Sequence, residues 1–259
     1  MLLLFSLTLF AQDATRDVNF YSLEKERALG EQIAKDYRSH ATIIELPKLQ
    51  ARVGAIARTL IPAGSKYTYT FEVVDSDEYL LNEPTALPGG FIFVPSGLIR
   101  AVRHTDEFAG MLAHAIAHVE LRSGMKAATT SATVNYATIP LIYIGGWTGN
   151  AMSKNTSPAL PLGFLSSFRA EELEADQMAA RLMQAAGYSP ARLADYIERV
   201  QPPDDGTPNA RSPLPPRAAR VAALRAFPAV DTPNGIEALQ ELLPEPAPKR
   251  ARTAPSLAR

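Results

Sequence analysis

Residues 105–120 read TDEFAGMLAHAIAHVE and hold two of the four histidines in the chain, His114 and His118. Thr105 is a favourable N-cap, the two acids after it suit the positive end of a helix dipole, and Gly124 is a favourable stop, so this stretch predicts a helix. Four positions apart on a helix, the two rings lie about 40° apart around the axis and roughly 6 Å apart along it. Both rings can therefore reach one ion.

A histidine pair at this spacing has two interpretations. Zinc binds imidazole readily, and an open catalytic site normally adds a third protein ligand, for which the acidic run of residues 171–176 is the candidate source. Alternatively, the two histidines are core imidazoles bonded to backbone carbonyls, and the acidic run is an ordinary solvated helix face. The motifs that flank the pair separate these interpretations.

The rest of the chain predicts a mainly helical protein with a small sheet. Amphipathic helical spacing, strand alternation and turn signals predict helices at 22–37, 47–60, 171–186, 190–200, 217–227 and 235–243 and strands at 67–74 and 91–95, the second strand following the turn Leu87-Pro88-Gly89-Gly90. The fold class is therefore α+β, with the sheet beside the helix of residues 105–120.

The stretch from residue 127 to residue 164 is too long for a plain connector. Its apolar part, residues 139–147, is predicted either to fold over the site as a lid or to pack into the core as a hairpin. Proline and polar residues dominate residues 201–216, which predicts an exposed linker.

Composition limits the possible partners. The chain has 26 basic and 27 acidic residues, so its overall charge does not attract nucleic acid, and it has no cysteine, which excludes disulfides and thiolate zinc sites. Residues 1–11 read MLLLFSLTLFA, which is typical of an export signal, the alternative being an N-terminal hydrophobic strand. No run reaches the roughly 20 apolar residues of a membrane span, although residues 137–147 could contact a membrane surface. We expect an exported protein, periplasmic or secreted.

These features divide the chain into four parts. We expect a signal peptide at 1–12, one folded domain around the histidine pair at 13–200, a linker with short helices packing on that domain at 201–243, and a disordered tail at 244–259.

Three motifs in order resemble one known family. Residues 82–90 read NEPTALPGG, residues 110–118 read GMLAHAIAH, and residues 169–176 read RAEELEAD, which contains an E-x-x-x-D pattern. Together they resemble the gluzincin zinc metallopeptidases that include the HtpX-type and BepA-type quality-control proteases and the CAAX prenyl endopeptidases. The similarity runs from about residue 19 to residue 188.

The resemblance implies a zincin-like fold with a zinc ion held by His114, His118 and Glu172. It implies that Asp176 orients a ligand histidine from behind. It also implies that extended polypeptide binds along the cleft strand, at the four residues Phe91, Ile92, Phe93 and Val94.

The chain departs from the family at the central motif. The family pattern is H-E-x-x-H, in which the glutamate is the general base, and this chain has Ala115 in its place. General acid–base assistance is worth about 10² to 10⁴ in rate, so the departure predicts a site that binds metal and cleaves poorly. Glu107 and Glu120 cannot reach the site from the same helix, which leaves Glu83 or a tyrosine of the 127–164 segment as substitutes.

Two further departures from the family pattern favour natural divergence over engineering as the origin of Ala115. The family carries a histidine shortly after the motif, where this chain has Ser123, and another in the region of residues 213–220, where this chain has none.

Three functions follow from these observations. The first is a zinc endopeptidase acting on exported or misfolded polypeptides, with lost or strongly reduced proteolysis. The second is a pseudopeptidase that binds extended polypeptide without cleaving it, as a chaperone or assembly factor. The third is a metal-free structural protein.

Overall fold

The computed structural model describes residues 22–76, 83–123, 162–203 and 214–245, with side chains in the third range described from residue 169. The predicted signal peptide, most of the 127–164 segment with Tyr136 and Tyr143, and most of the tail lie outside these residues.

The described residues form eight helices, three strands and a 3-10 turn at Pro88–Gly90. The helices are α1 Leu23–His40, α2 Pro47–Leu60, α3 Ser96–Ala101, α4 Thr105–Glu120, α5 Leu162–Ala185, α6 Pro190–Val200, α7 Arg217–Arg225 and α8 Glu237–Gln240. The strands are β1 Thr70–Val74, β2 Thr85–Leu87 and β3 Phe91–Pro95. The predicted α+β class, mainly helical with a small sheet, is confirmed. None of the helices in the described ranges is both long and apolar enough to cross a bilayer.

Helix α4 begins differently from the prediction. His104 is its N-cap, and the Nδ1 atom of His104 accepts a hydrogen bond from the backbone N–H of Asp106 at 3.2 Å. Thr105 is instead the first residue inside the helix, and its hydroxyl accepts a hydrogen bond from the backbone N–H of Gly235. The helix ends at Glu120, and the predicted stop, Gly124, lies outside the described residues.

Helix α5 is longer than predicted. It includes Leu162 and therefore covers the end of the predicted irregular segment and the nine residues before Glu171. Residues 162–170 contain no proline and only one glycine, so nothing in them interrupts a helix that continues into the acidic run.

Strand β3 lies in the centre of the sheet, whose order is β1-β3-β2. It pairs in parallel with β1 over residues 91–95 and antiparallel with β2 over residues 91–93. Both of its edges are therefore occupied over residues 91–93. A peptide can add only to a free edge, so over these three residues a neighbouring strand lies where substrate backbone would pair, and substrate binding at residues 91–94 stays a prediction.

The side chains of β3 belong to the core and alternate between its two parts. Ile92 and Val94 face the main core with α4, whereas Phe91 and Phe93 face a second cluster beneath α1. All four are 6% exposed or less. Strand β2 is one edge of the sheet, and its outer side pairs with no strand of the described residues.

Helix α4 is the centre of the main core, and α5 and α6 pack against it. Its approach to α6 requires a small residue, because a Cβ on Gly110 would lie 2.8 Å from the Cβ of Leu193. On the other side of α5 and α6 lies α7, which brings one arginine, Arg220, into the interior.

Candidate metal centre

His114 and His118 lie on the same face of α4 and point to the same place. Their Nε2 atoms are 3.0 Å apart, and their rings meet edge to face with centroids 4.6 Å apart. The side chain of His114 is 1% exposed to solvent, whereas that of His118 is 20% exposed. The pair is therefore buried on one side and open to solvent at His118.

Glu172 reaches the pair from α5. One carboxylate oxygen, Oε2, lies 3.3 Å from Nε2 of His114, and the other, Oε1, lies 3.4 Å from Nε2 of His118. The structure thus brings together the three side chains that the sequence and the family resemblance named as metal ligands.

Asp176 lies one turn after Glu172 on α5 and contacts the opposite side of His114. Its Oδ1 atom is 3.0 Å from Nδ1 of that ring, and the residue is fully buried. The guanidinium of Arg220 donates two hydrogen bonds to the Asp176 carboxylate, of 2.7 and 2.8 Å. A carboxylate in this position fixes the tautomer and orientation of a histidine whose other nitrogen binds a metal.

Glu83 joins the cluster from the segment just before β2. Its Oε1 atom lies 3.1 Å from Nε2 of His114, and its other oxygen, Oε2, is buried and has no hydrogen-bond partner among the described residues. The ligand atoms of Glu83, His114, His118 and Glu172 all lie within 4.8 Å of one another. The four side chains could therefore hold a metal ion.

The match with a family model covers residues 45–227 and bears the description Peptidase family M48. The chain belongs to this family. Among similar proteins are the beta-barrel assembly-enhancing proteases of Yersinia pestis, 25% identical over 208 residues, and of Escherichia coli strain K12, 23% identical over 188 residues. The alignments cover 73% and 69% of this chain but only 41% and 38% of the relatives, so the chain spans about two fifths of their length.

The residue that follows His114 on α4 is built into the core. Ala115 is 1% exposed and packs within the main hydrophobic cluster. The two glutamates elsewhere on α4 are engaged with other partners: Glu120 accepts a hydrogen bond from the hydroxyl of Tyr69 at 2.8 Å, and Glu107 accepts two from Arg199. Neither is directed at the histidine pair.

The buried charges of the cluster shift one another's pKa values. Burial by itself would lower the pKa of His114, but three surrounding carboxylates, first that of Asp176, hold it well above its usual value. The pKa of His118 falls because the ring is buried and lies beside His114. Burial would raise the pKa of Glu172, yet the two imidazoles and Arg220 hold it below its usual value. The cluster therefore favours positive charge at His114.

The carboxyl of Asp176 is fully ionised at neutral pH. Burial would raise its pKa, but Arg220 and then His114 hold that pKa far below the usual value. The same ion pair raises the pKa of the Arg220 guanidinium above its usual value despite burial.

The residues of the cluster fit a zinc ion. Tetrahedral zinc with imidazole and carboxylate bonds of about 2.0–2.1 Å separates neighbouring ligand atoms by about 3.3 Å. The contacts of His114 Nε2 with Glu83, Glu172 and His118 are 3.1, 3.3 and 3.0 Å. The carboxylates of Glu83, Glu172 and Asp176 lie near one arginine, Arg220. When both imidazoles are neutral, two of these three negative charges therefore have no cation beside them among the described residues.

Sequence reasoning missed two members of this site. Glu83 was only a conceivable substitute acid, and its one signal was a carboxylate inside the NEPTALPGG motif. Arg220 carried no signal, since the family has a histidine in that region.

Proposed function

We propose that this chain is a zinc-binding member of Peptidase family M48 that binds extended segments of exported or misfolded polypeptides and has lost most or all of its proteolytic activity. Ala115 carries the proposal. It lies between the two histidines on the buried face of α4, where the family pattern places a glutamate, and it offers no proton acceptor.

A zinc ion held by His114, His118 and Glu172 would supply Lewis acidity towards a carbonyl oxygen. Within the chain, Asp176 keeps the imidazole of His114 oriented, and Arg220 keeps the Asp176 carboxylate ionised and in place. The site lacks a group that would transfer protons during cleavage. A positioned acid or base contributes about 10² to 10⁴ in rate, and Glu107 and Glu120 are held by Arg199 and Tyr69.

The edge strand β2 supports polypeptide binding. Within the described residues Thr85–Leu87 pairs with β3 on one side only, and it begins two residues after Glu83, which contacts His114. An extended segment that adds to the outer edge of β2 would run past the metal centre, held by main-chain hydrogen bonds.

Export is supported by the apolar N-terminal run. The names of the Yersinia pestis and Escherichia coli relatives refer to the assembly of β-barrels, which points to exported client proteins. The alternative is a chaperone or assembly factor that never cleaves. The contact of Glu83 with His114 favours it, because this carboxylate, as a fourth protein ligand, would take the place that a reacting water needs.

Peptide binding and cleavage can be measured on the same protein. We expect the zinc-loaded chain to bind a fluorescein-labelled unfolded polypeptide such as reduced casein, with binding weakened by a chelator. Cleavage should not exceed that of His118→Ala, the variant without the solvent-facing ligand. Strong, chelator-sensitive proteolysis by the native sequence would refute the proposal.

A further inference from the structure

Glu83 lies outside the ligand set that the family resemblance implies, yet it contacts that set as closely as the other members do. Its Oε1 atom is 3.1 Å from Nε2 of His114, which is shorter than either contact of Glu172 with the two histidines, 3.3 and 3.4 Å. It comes from the segment before β2, whereas the other three come from α4 and α5.

The buried carboxylate of Glu83 is only half partnered. The residue is 8% exposed, its Oε1 atom lies beside His114, and among the described residues its Oε2 atom has no hydrogen-bond partner. The nearby cation, Arg220, donates its hydrogen bonds to Asp176 and approaches Glu172 only to 4.0 Å. A buried carboxylate is costly unless it is paired or bound to a metal ion.

We propose that Glu83 is a fourth protein ligand, so that His114, His118, Glu172 and Glu83 form a closed site. Four protein ligands around zinc are typical of structural sites, whereas catalytic sites keep one position for water. This inference rests on the proposed function and gives a reason for the loss of proteolysis. Once a carboxylate holds the water position, a general base at residue 115 has nothing to act on, and alanine packs better in the core.

Metal affinity tests the ligand role directly. Zinc affinity is measured by competition with a fluorescent chelator for the native chain, Glu83→Gln and Glu83→Ala. The matched control is Glu174→Ala, an exposed glutamate beside Glu172 on α5. We expect both Glu83 variants to bind zinc at least about tenfold more weakly, as loss of even an outer-shell partner does, and the control to match the native chain. Unchanged affinity in folded Glu83→Gln would overturn the proposal.

A second measurement can overturn the proposal on the native chain alone. Cobalt(II) accepts the same imidazole and carboxylate ligands as zinc and has a visible spectrum that changes when an added anion coordinates it. We expect the spectrum of the cobalt-loaded native chain to be insensitive to azide, because no position is free. In Glu83→Ala the vacated position should admit azide and the spectrum should change. A native spectrum that responds to azide would overturn the proposal.

The two proposals fail differently. Strong proteolysis by a native chain whose cobalt spectrum ignores azide would refute the loss of activity and leave the fourth ligand standing. Azide binding to a native chain that does not cleave would refute the fourth ligand alone. Cleavage that Glu83→Gln abolishes without changing zinc affinity would show that Glu83 handles protons instead of metal, and would overturn the ligand role.

Discussion

Arg220 holds the carboxylate of Asp176 with two hydrogen bonds, of 2.7 and 2.8 Å, in the interior of the protein. Asp176 is fully buried and Arg220 is 3% exposed, so neither charge is compensated by water. The pair comes from α7 and α5 and thus ties the C-terminal helices to the metal centre.

Removing the arginine should be strongly destabilising. Arg220→Met leaves the Asp176 carboxylate buried with only the His114 imidazole beside it, and breaking a buried pair in this way costs about 3–5 kcal/mol. The free energy of unfolding is measured by urea denaturation of the metal-free chain. The matched control is Arg225→Met on the same helix, whose side chain is 47% exposed and pairs with surface acids, and which should cost less than about 1 kcal/mol. Equal losses in the two variants would contradict the prediction.

Metal binding should depend on the histidine pair. We expect purified protein to hold about one equivalent of zinc and His118→Ala to hold much less, since the site then loses one of its ligands. The matched control is His40→Ala, a histidine on α1 whose side chain is 77% exposed. Zinc at a hundred times its dissociation constant should stabilise the native fold by about 2.7 kcal/mol, seen as a higher Tm that a chelator reverses. Zinc content unchanged in His118→Ala would exclude this site.

The two helices whose bounds were predicted correctly begin with a residue that marks a helix start in the sequence. Pro47 and Pro190 stand at the first positions of α2 and α6, and both helices run over the predicted residues. Helix α5 was predicted too short because its first turns carry neither a cap nor charges. The cap of α4 was misassigned because Thr105 bonds to Gly235, a contact between residues 130 positions apart that no local pattern expresses.

The residues of the candidate site likewise fall into those that a local pattern predicts and those that only the packing of distant segments brings together. The histidine pair on α4 is visible as spacing, and Glu172 follows from the family resemblance. Glu83 could not be recognised as a neighbour of His114, because their contact depends on how the segment before β2 packs against α4. Arg220 meets Asp176 across 44 positions of sequence, through the packing of α7 on α5.

Gly30 should be essential for the packing of α1. A Cβ at this position would lie 1.8 Å from the backbone oxygen of Pro88, in the turn that precedes β3. Gly30→Ala must push α1 away from the turn, and we expect a loss of about 1–3 kcal/mol or more in the free energy of unfolding. At Gly64 an added Cβ meets nothing within 4 Å, so Gly64→Ala is the matched control and should stay within about 1 kcal/mol of the native chain. A Gly30→Ala protein as stable as that control would contradict the prediction.

Glu26 should make stability fall as pH rises. Burial raises the pKa of its carboxyl above the usual value, and Arg122 and Tyr67 offset only part of that effect. The native state then binds the proton more tightly than the unfolded state, so the stabilisation is present at acidic pH and is lost as the pH rises through the raised native pKa. The difference in unfolding free energy between the native chain and Glu26→Gln should therefore shrink as the pH rises above about 4.5, the ordinary pKa of a glutamate. Glu24→Gln, an exposed change on the same helix, should show no such trend.

Recovery of proteolysis should require two substitutions, because two things are missing from the site. Ala115→Glu supplies a proton acceptor but leaves Glu83 beside His114, where its carboxylate occupies the position that water needs. Glu83→Ala frees that position but supplies no base. We expect either single variant to cleave casein weakly, and the double variant to exceed the native rate by about 10² or more in a chelator-sensitive way.

The matched control for the double variant is Ala115→Gln with Glu83→Ala. Glutamine has nearly the shape of glutamate but cannot accept the proton, so this pair of changes should stay inactive. Because Ala115 is 1% exposed, circular dichroism and zinc content must first show that each variant folds and holds its metal. Full activity in Ala115→Glu alone would mean that the water position is already open in the native chain, and that Glu83 does not close it.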